Sequence, residues 1–154
     1  MIDVFVESAG NRLHTQFPVR MDDLAAQLGS IGIRQSVSKM LAHGNGEVKV
    51  TMEAMDEIGE AIVARIGDND CLGAVNHVCI AVSRACPYGS REFLDMLAPK
   101  PGGNYEFYKK FDHIGPSSRT GMAGLLEETM RYTAMMSEYE RVCREEEQDE
   151  ECER

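Results

Sequence analysis

Residues 71–86, CLGAVNHVCIAVSRAC, bring together three cysteines and a histidine, the side chains that bind transition metals or act as nucleophile and base. Spacing decides what they can do. On a helix His77 and Cys79 point to nearly opposite sides, while Cys79 and Cys86 share a face but lie about 10 Å apart along an axis rising 1.5 Å per residue. Neither pair chelates or bridges. Cys79 and Cys86 are expected to be small core residues and His77 a surface or boundary histidine. A Cys86 nucleophile finds no base in His77, which faces the other way on the same helix, so only distant His14, His43 or His113 could serve. A cysteine enzyme is a reserve reading.

The stretch DNDCLG imitates the start of a calcium loop, with Asp68, Asp70 and Gly73 at positions one, three and six. Leu72 replaces the fifth-position ligand and Cys79 stands where a bidentate glutamate is needed, so a turn leading into a helix is the better account. There is no phosphate-binding glycine loop, serine elbow or HExxH. The chain is expected to be no enzyme, with no metal and no cofactor.

Acidity is the remaining chemical feature. The 154 residues carry a net charge of −10, which argues against direct binding to nucleic acid, since phosphate binding relies on Lys and Arg. The last ten residues hold seven acids and one base, a charge of −6, so subtraction from −10 leaves −4 for residues 1–144. Within that body, EAMDEIGEAIVARI reads as a helix on which Glu53, Asp56, Glu57 and Glu60 form one stripe opposite Met55, Ile58, Ile62 and Ile66. Such a stripe is either a solvated face or a surface for a basic partner.

The elements that would position these residues follow from periodicity. IDVFVES and RLHTQFPV read as a hairpin, with Ile2, Val4 and Val6 on one face, Leu13, Thr15 and Phe17 on the matching face, and turn chemistry at Gly10-Asn11. A short helix from Met21 follows, starting near Asp22 or Asp23 and stopping near Gly29, with Leu24, Ala25 and Leu28 toward the hairpin. A third strand is expected near 46–51, helices over 52–66 and about 70–86, the latter capped by Asn69 or Asp70, and one or two helical turns in REFLDML.

A last helix begins near Ser117 or Ser118 and runs toward residue 147. Met122, Leu125, Thr129, Tyr132, Met136, Tyr139 and Cys143 recur on it at three- and four-residue steps. That seam either seals the helix onto the body or pairs with a second copy. The expected organisation is an α+β domain over 1–98, a Pro/Gly linker at 99–104, a mostly helical segment over 105–147 and an acidic disordered tail at 148–154. The architecture is a small antiparallel sheet, hairpin plus third strand, covered by helices, with a long C-terminal helix. MIDVFVES lacks signal-peptide character and no apolar run approaches the ~20 residues of a membrane span. A cytoplasmic location is expected, and five cysteines without a framework spacing agree with it.

FPVRMDDLAAQLGSIGI (17–33) and, after a strand, CLGAVNHVCIAVSRACPYGSREFLDML (71–97) resemble ArdA-type antirestriction proteins of mobile genetic elements. In that family a proline precedes an acidic helix start with spaced leucines ending in Ile-Gly, and a Leu-x-x-Leu-Asn-x-Leu-Ala helix comes later. Leu72, Val75, Asn76 and Val78 stand at the positions of the second motif, followed by Ile80 and Ala81. The likeness covers residues 1–97, lacks the family's aromatic-acidic stretch between the motifs, and has no counterpart after residue 104.

The resemblance implies a non-enzymatic DNA mimic that occupies the basic DNA-binding groove of a type I restriction-modification enzyme. Glu53, Asp56, Glu57, Glu60, Glu127, Glu128, Glu138 and Glu140 are then the expected partner-binding acids. The alternative is a small interaction or assembly protein that dimerises or docks through a seam of Met122, Leu125, Tyr132, Met136 and Tyr139. Neither reading involves a membrane.

Overall fold

The computed structural model describes residues 1–86, 93–94, 120–134 and 137. The expected linker at 99–104 and tail at 148–154, together with Met136, Glu138, Tyr139, Glu140 and Cys143, lie outside the described residues.

Strands β1 (Ile2–Ser8) and β2 (Asn11–Phe17) form the hairpin. Its two-residue loop is Ala9-Gly10, one position earlier than the expected Gly10-Asn11 turn. Both loop residues have positive φ, 49° and 81°, the backbone form that matches the twist of paired strands. Alternation places Ile2, Val4, Val6, Thr15 and Phe17 in the interior, as the period of two requires.

The other strands are β3 (Gly44–Asn45) and β4 (Val48–Ala54), and the antiparallel sheet has the order β2-β1-β4-β3. The hairpin's first strand is therefore central. Because β4 pairs with β1 as far as Ile2↔Ala54, it runs three residues past the expected end at 51. The tiny β3 did not show in the hydrophobic pattern, since two residues carry no period.

Helices α1 (Met21–Ser30), α2 (Glu57–Ala64) and α3 (Leu72–Ala85) cover one face of the sheet, α2 against β4 and α3 against β2. In α1, Leu24 and Leu28 are buried but Ala25 is exposed, so two residues rather than the expected three enter the core, and the helix packs against α3. In α3, Leu72, Val75, Val78, Cys79 and Val82 enter the core, whereas Cys86 is only half-buried. His77 is exposed, as its helical position requires.

Asn76 is the polar residue at the centre of this packing, fully buried on α3. The backbone N–H of Val19 donates to its Oδ1 at 2.9 Å, and its Nδ2 donates to the Val19 carbonyl at 2.7 Å. Both orphan groups of the β2–α1 connection are thereby satisfied, which makes Asn76 a clamp between two parts of the chain.

A fourth helix, α4 (121–134), packs on the same body. Its start is anchored by Asp70, whose Oδ2 accepts from the backbone N–H of Gly67 at 2.6 Å and of Met122 at 3.1 Å. Gly121 has φ +66°, a conformation that favours glycine, and a Cβ there would lie 2.7 Å from the same carboxylate oxygen and push it from its place. Met122, Leu125, Thr129 and Tyr132 are all buried, and Tyr132 meets Phe93 edge-on at 5.3 Å between ring centres. The described part of the C-terminal segment thus shares one core with the N-terminal elements.

Candidate functional site

The expected four-acid stripe is not a helical stripe. Glu53 belongs to β4, and the chain reaches α2 only after Met55 and Asp56. Asp56 is the N-cap, and its carboxylate accepts the Gly59 N–H at 2.7 Å. That bond satisfies one of the open donors at the helix start, so Asp56 is a structural acid. Only Glu57 and Glu60 remain on the helix, both exposed in its first turn. The period change placed at residue 52 therefore occurs at 57, because strand pairing with β1 overrides the apolar spacing of Met55 with Ile58.

The sheet restores part of the lost proximity by another route. Asp3 and Glu53 are direct cross-strand partners at one end of the β1–β4 pair. Beyond them the chain enters α2, and no Lys, Arg or His occurs from residue 50 to 64. Among the described residues neither Glu53 nor Glu60 has a cation within ion-pair distance. Asp3, which periodicity assigned to a strand face without a role, joins this acidic region. Its carboxyl is held below the ordinary value of 3.8 chiefly by the hydrogen bond from His14 at 2.9 Å, with Gln16 Nε2 adding a second at 3.1 Å. Asp3 accordingly stays charged.

The two expected acids on the described part of α4 behave differently. Glu128 is buried and forms a two-pronged ion pair with the Arg65 guanidinium, the second prong 3.1 Å long. Glu127 pairs with Arg131 one turn away at 2.7 Å. These acids bind the chain's own arginines. The signal was partly available for Glu127, since Arg131 stands four residues on; it was not for Glu128, whose partner is 63 positions away.

The seam on α4 is likewise occupied. Met122, Leu125 and Tyr132 are 1%, 0% and 3% exposed against the body, so the intramolecular option holds through the described turns. Met130 is a large apolar side chain of this helix left exposed, at 65%.

The outward face of the sheet presents three cross-strand rows. Gln16, Asp3 and Glu53 form the first, His14, Phe5 and Thr51 the second, and Arg12, Glu7 and Lys49 the third. Phe5 is 38% exposed and stacks on His14 with ring centres 4.6 Å apart and planes 7° from parallel. Around this stack lies a shallow depression of about 570 Å3, bordered by Glu7, Arg12, Lys49 and Thr51. Charge is polarised along the strands: acids at the Asp3–Glu53 end, and Arg12 and Lys49 about Glu7 at the other. Arg12 lies 3.9 Å from Glu7, an exposed and weak contact.

Cys79 is fully buried and its thiol is pushed up to about 12 by desolvation, which keeps it protonated and unreactive at neutral pH. Cys71 is the N-cap of α3, where its Sγ accepts the Ala74 N–H at 3.3 Å in place of the expected Asn69 or Asp70. Among the described residues no group of three or more His, Cys, Asp or Glu side chains is arranged to hold a metal ion. Nor, among those residues, is any helix long and apolar enough to cross a membrane. No protein-family model, curated protein or solved structure matches the chain.

Proposed function

We propose that this protein is a non-enzymatic inhibitor that presents an acidic surface to the basic DNA-binding groove of another protein, as a DNA mimic of type I restriction-modification enzymes. One observation carries the reading: Asp3 and Glu53 face each other across β1 and β4, and Glu57 and Glu60 follow on α2 in a stretch without a single base. A cluster of carboxylates raises the local negative potential and draws a cationic cleft toward it. The acids that carry it are Glu53, Glu57 and Glu60, which follow one another along β4 and α2, with Asp3 added as the cross-strand neighbour of Glu53. The mobile-element origin and the choice of restriction enzyme rest on the family resemblance alone.

The test is inhibition of a purified type I restriction enzyme in competition with its DNA. Replacing Glu53, Glu57 and Glu60 together with Gln is expected to weaken inhibition at least about tenfold, as loss of complementary charges does, while the chain remains folded by circular dichroism. Full inhibition by the triple variant, or none by the natural chain, overturns the reading. A second reading, an assembly protein docking through its C-terminal helix, is favoured by exposed Met130. Under it Met130→Lys abolishes capture of a partner and leaves the fold intact.

A further inference from the structure

We infer that the outward face of the sheet is an interface between two copies of this chain, stacked about a two-fold axis that crosses the strands near Phe5 and Thr51. The face combines an exposed aromatic centre with flanks of opposite sign, and that combination selects its occupant. A nucleic-acid strand would find aromatic rings to stack on but also Asp3, Glu7 and Glu53 against its phosphates. A uniformly basic partner meets Arg12 and Lys49, and a uniformly acidic one meets Asp3 and Glu53. A surface with the same polarity turned end for end complements the face, and a second copy rotated by half a turn supplies it.

The central correspondence lies on β4. Lys49, Thr51 and Glu53 are exposed on one face of that strand, with Lys49 and Glu53 about 14 Å apart at roughly 3.4 Å per residue. A two-fold axis at Thr51 exchanges the ends, so Glu53 of each copy meets Lys49 of the other, and Phe5 and His14 of both copies close the middle. The acids of the central strand come nearest each other in this arrangement. Asp3 is bonded to His14 and Gln16, while Glu7 has only its weak contact with Arg12, so this row opposes association and keeps the dimer weak. Glu57 and Glu60 lie on α2 and outside the face, whereas Asp3 and Glu53 lie within it, so the interface does not need the inhibitor reading but covers two of its acids, and the weak dimer must part before those two reach a basic groove.

Three strands about 4.8 Å apart make a patch far smaller than the roughly 800 Å2 per partner of a stable complex, so a weak, concentration-dependent dimer is expected. Sedimentation velocity over a concentration series reads it. Glu53→Lys alone and Lys49→Glu alone each place like charges together and are expected to weaken self-association at least about tenfold. An equimolar mixture of the two variants restores association, since every 53–49 contact is again of opposite sign, and the double variant E53K/K49E restores it within one chain. Phe5→Ser abolishes it. In the natural chain, concentration should shift the amide resonances of Phe5, His14, Lys49, Thr51 and Glu53. A chain monomeric at millimolar concentration, a dimer indifferent to both charge reversals, a mixture that does not recover, or shifts confined to other residues would each overturn the inference.

Discussion

Two pairs of glutamates, Glu57 with Glu60 on α2 and Glu127 with Glu128 on α4, are alike in sequence: each sits on a helix that turns an apolar side inward. In the folded chain they differ. Arg65, the residue that closes α2, reaches across to Glu128, and Arg131 takes Glu127 within its own helix. Nothing comparable lies near Glu60 among the described residues. The lesson is that formal charge and available charge are separate quantities, and that only the pairing of elements converts one into the other.

The comparison can be broken most severely by removing the core beneath the paired glutamates. Leu125→Ala deletes a fully buried side chain of α4 and is expected to cost about 2–5 kcal/mol by denaturant titration. A loss under about 1 kcal/mol would mean that α4 is not part of the common core. Next, Glu128→Ala strands a partly buried guanidinium and is expected to cost about 1–3 kcal/mol, whereas Glu60→Gln stays within about 0.5 kcal/mol. Equal effects at the two positions would erase the distinction between them. Glu127→Gln loses one helical ion pair of the i,i+4 kind, about 0.3–0.5 kcal/mol, and this loss should shrink further in high salt.

The smallest effect concerns Asp3. Its folded-state value lies below the ordinary carboxylate value, so the stability it confers is present above the unfolded value and fades as pH falls through the folded one. The acid limb of the thermal midpoint should therefore flatten slightly in Asp3→Asn and in His14→Ala alike. An unchanged limb in both variants would remove the His14 bond as the cause.

Much of the fold was legible because its signals are local. Alternation over residues 2–17 placed the hairpin and its inner face, and the steps from Leu72 to Val82 placed α3 and its buried side. The α+β architecture followed from these. The boundary between β4 and α2 was not legible: Met52 and Ala54 continue a period of two, while Met55 and Ile58 begin a period near 3.6. Pairing with β1, which extends to Ala54, decided it. The candidate site suffered most from this, since moving one boundary took Glu53 off the helix and turned Asp56 into its cap.

Composition and periodicity by themselves determined the acidity of the chain, most interior residues of the hairpin and α3, and a C-terminal helix with an apolar seam. The tertiary structure alone decided which carboxylates remain available, that Asp3 joins Glu53, that Asn76 clamps the Val19 backbone, and that the seam is spent on the chain's own core. The physical reason is range. Side-chain period and caps act over a few residues, whereas an ion pair such as Arg65–Glu128 or a cross-strand neighbour such as Asp3–Glu53 exists only after distant segments meet.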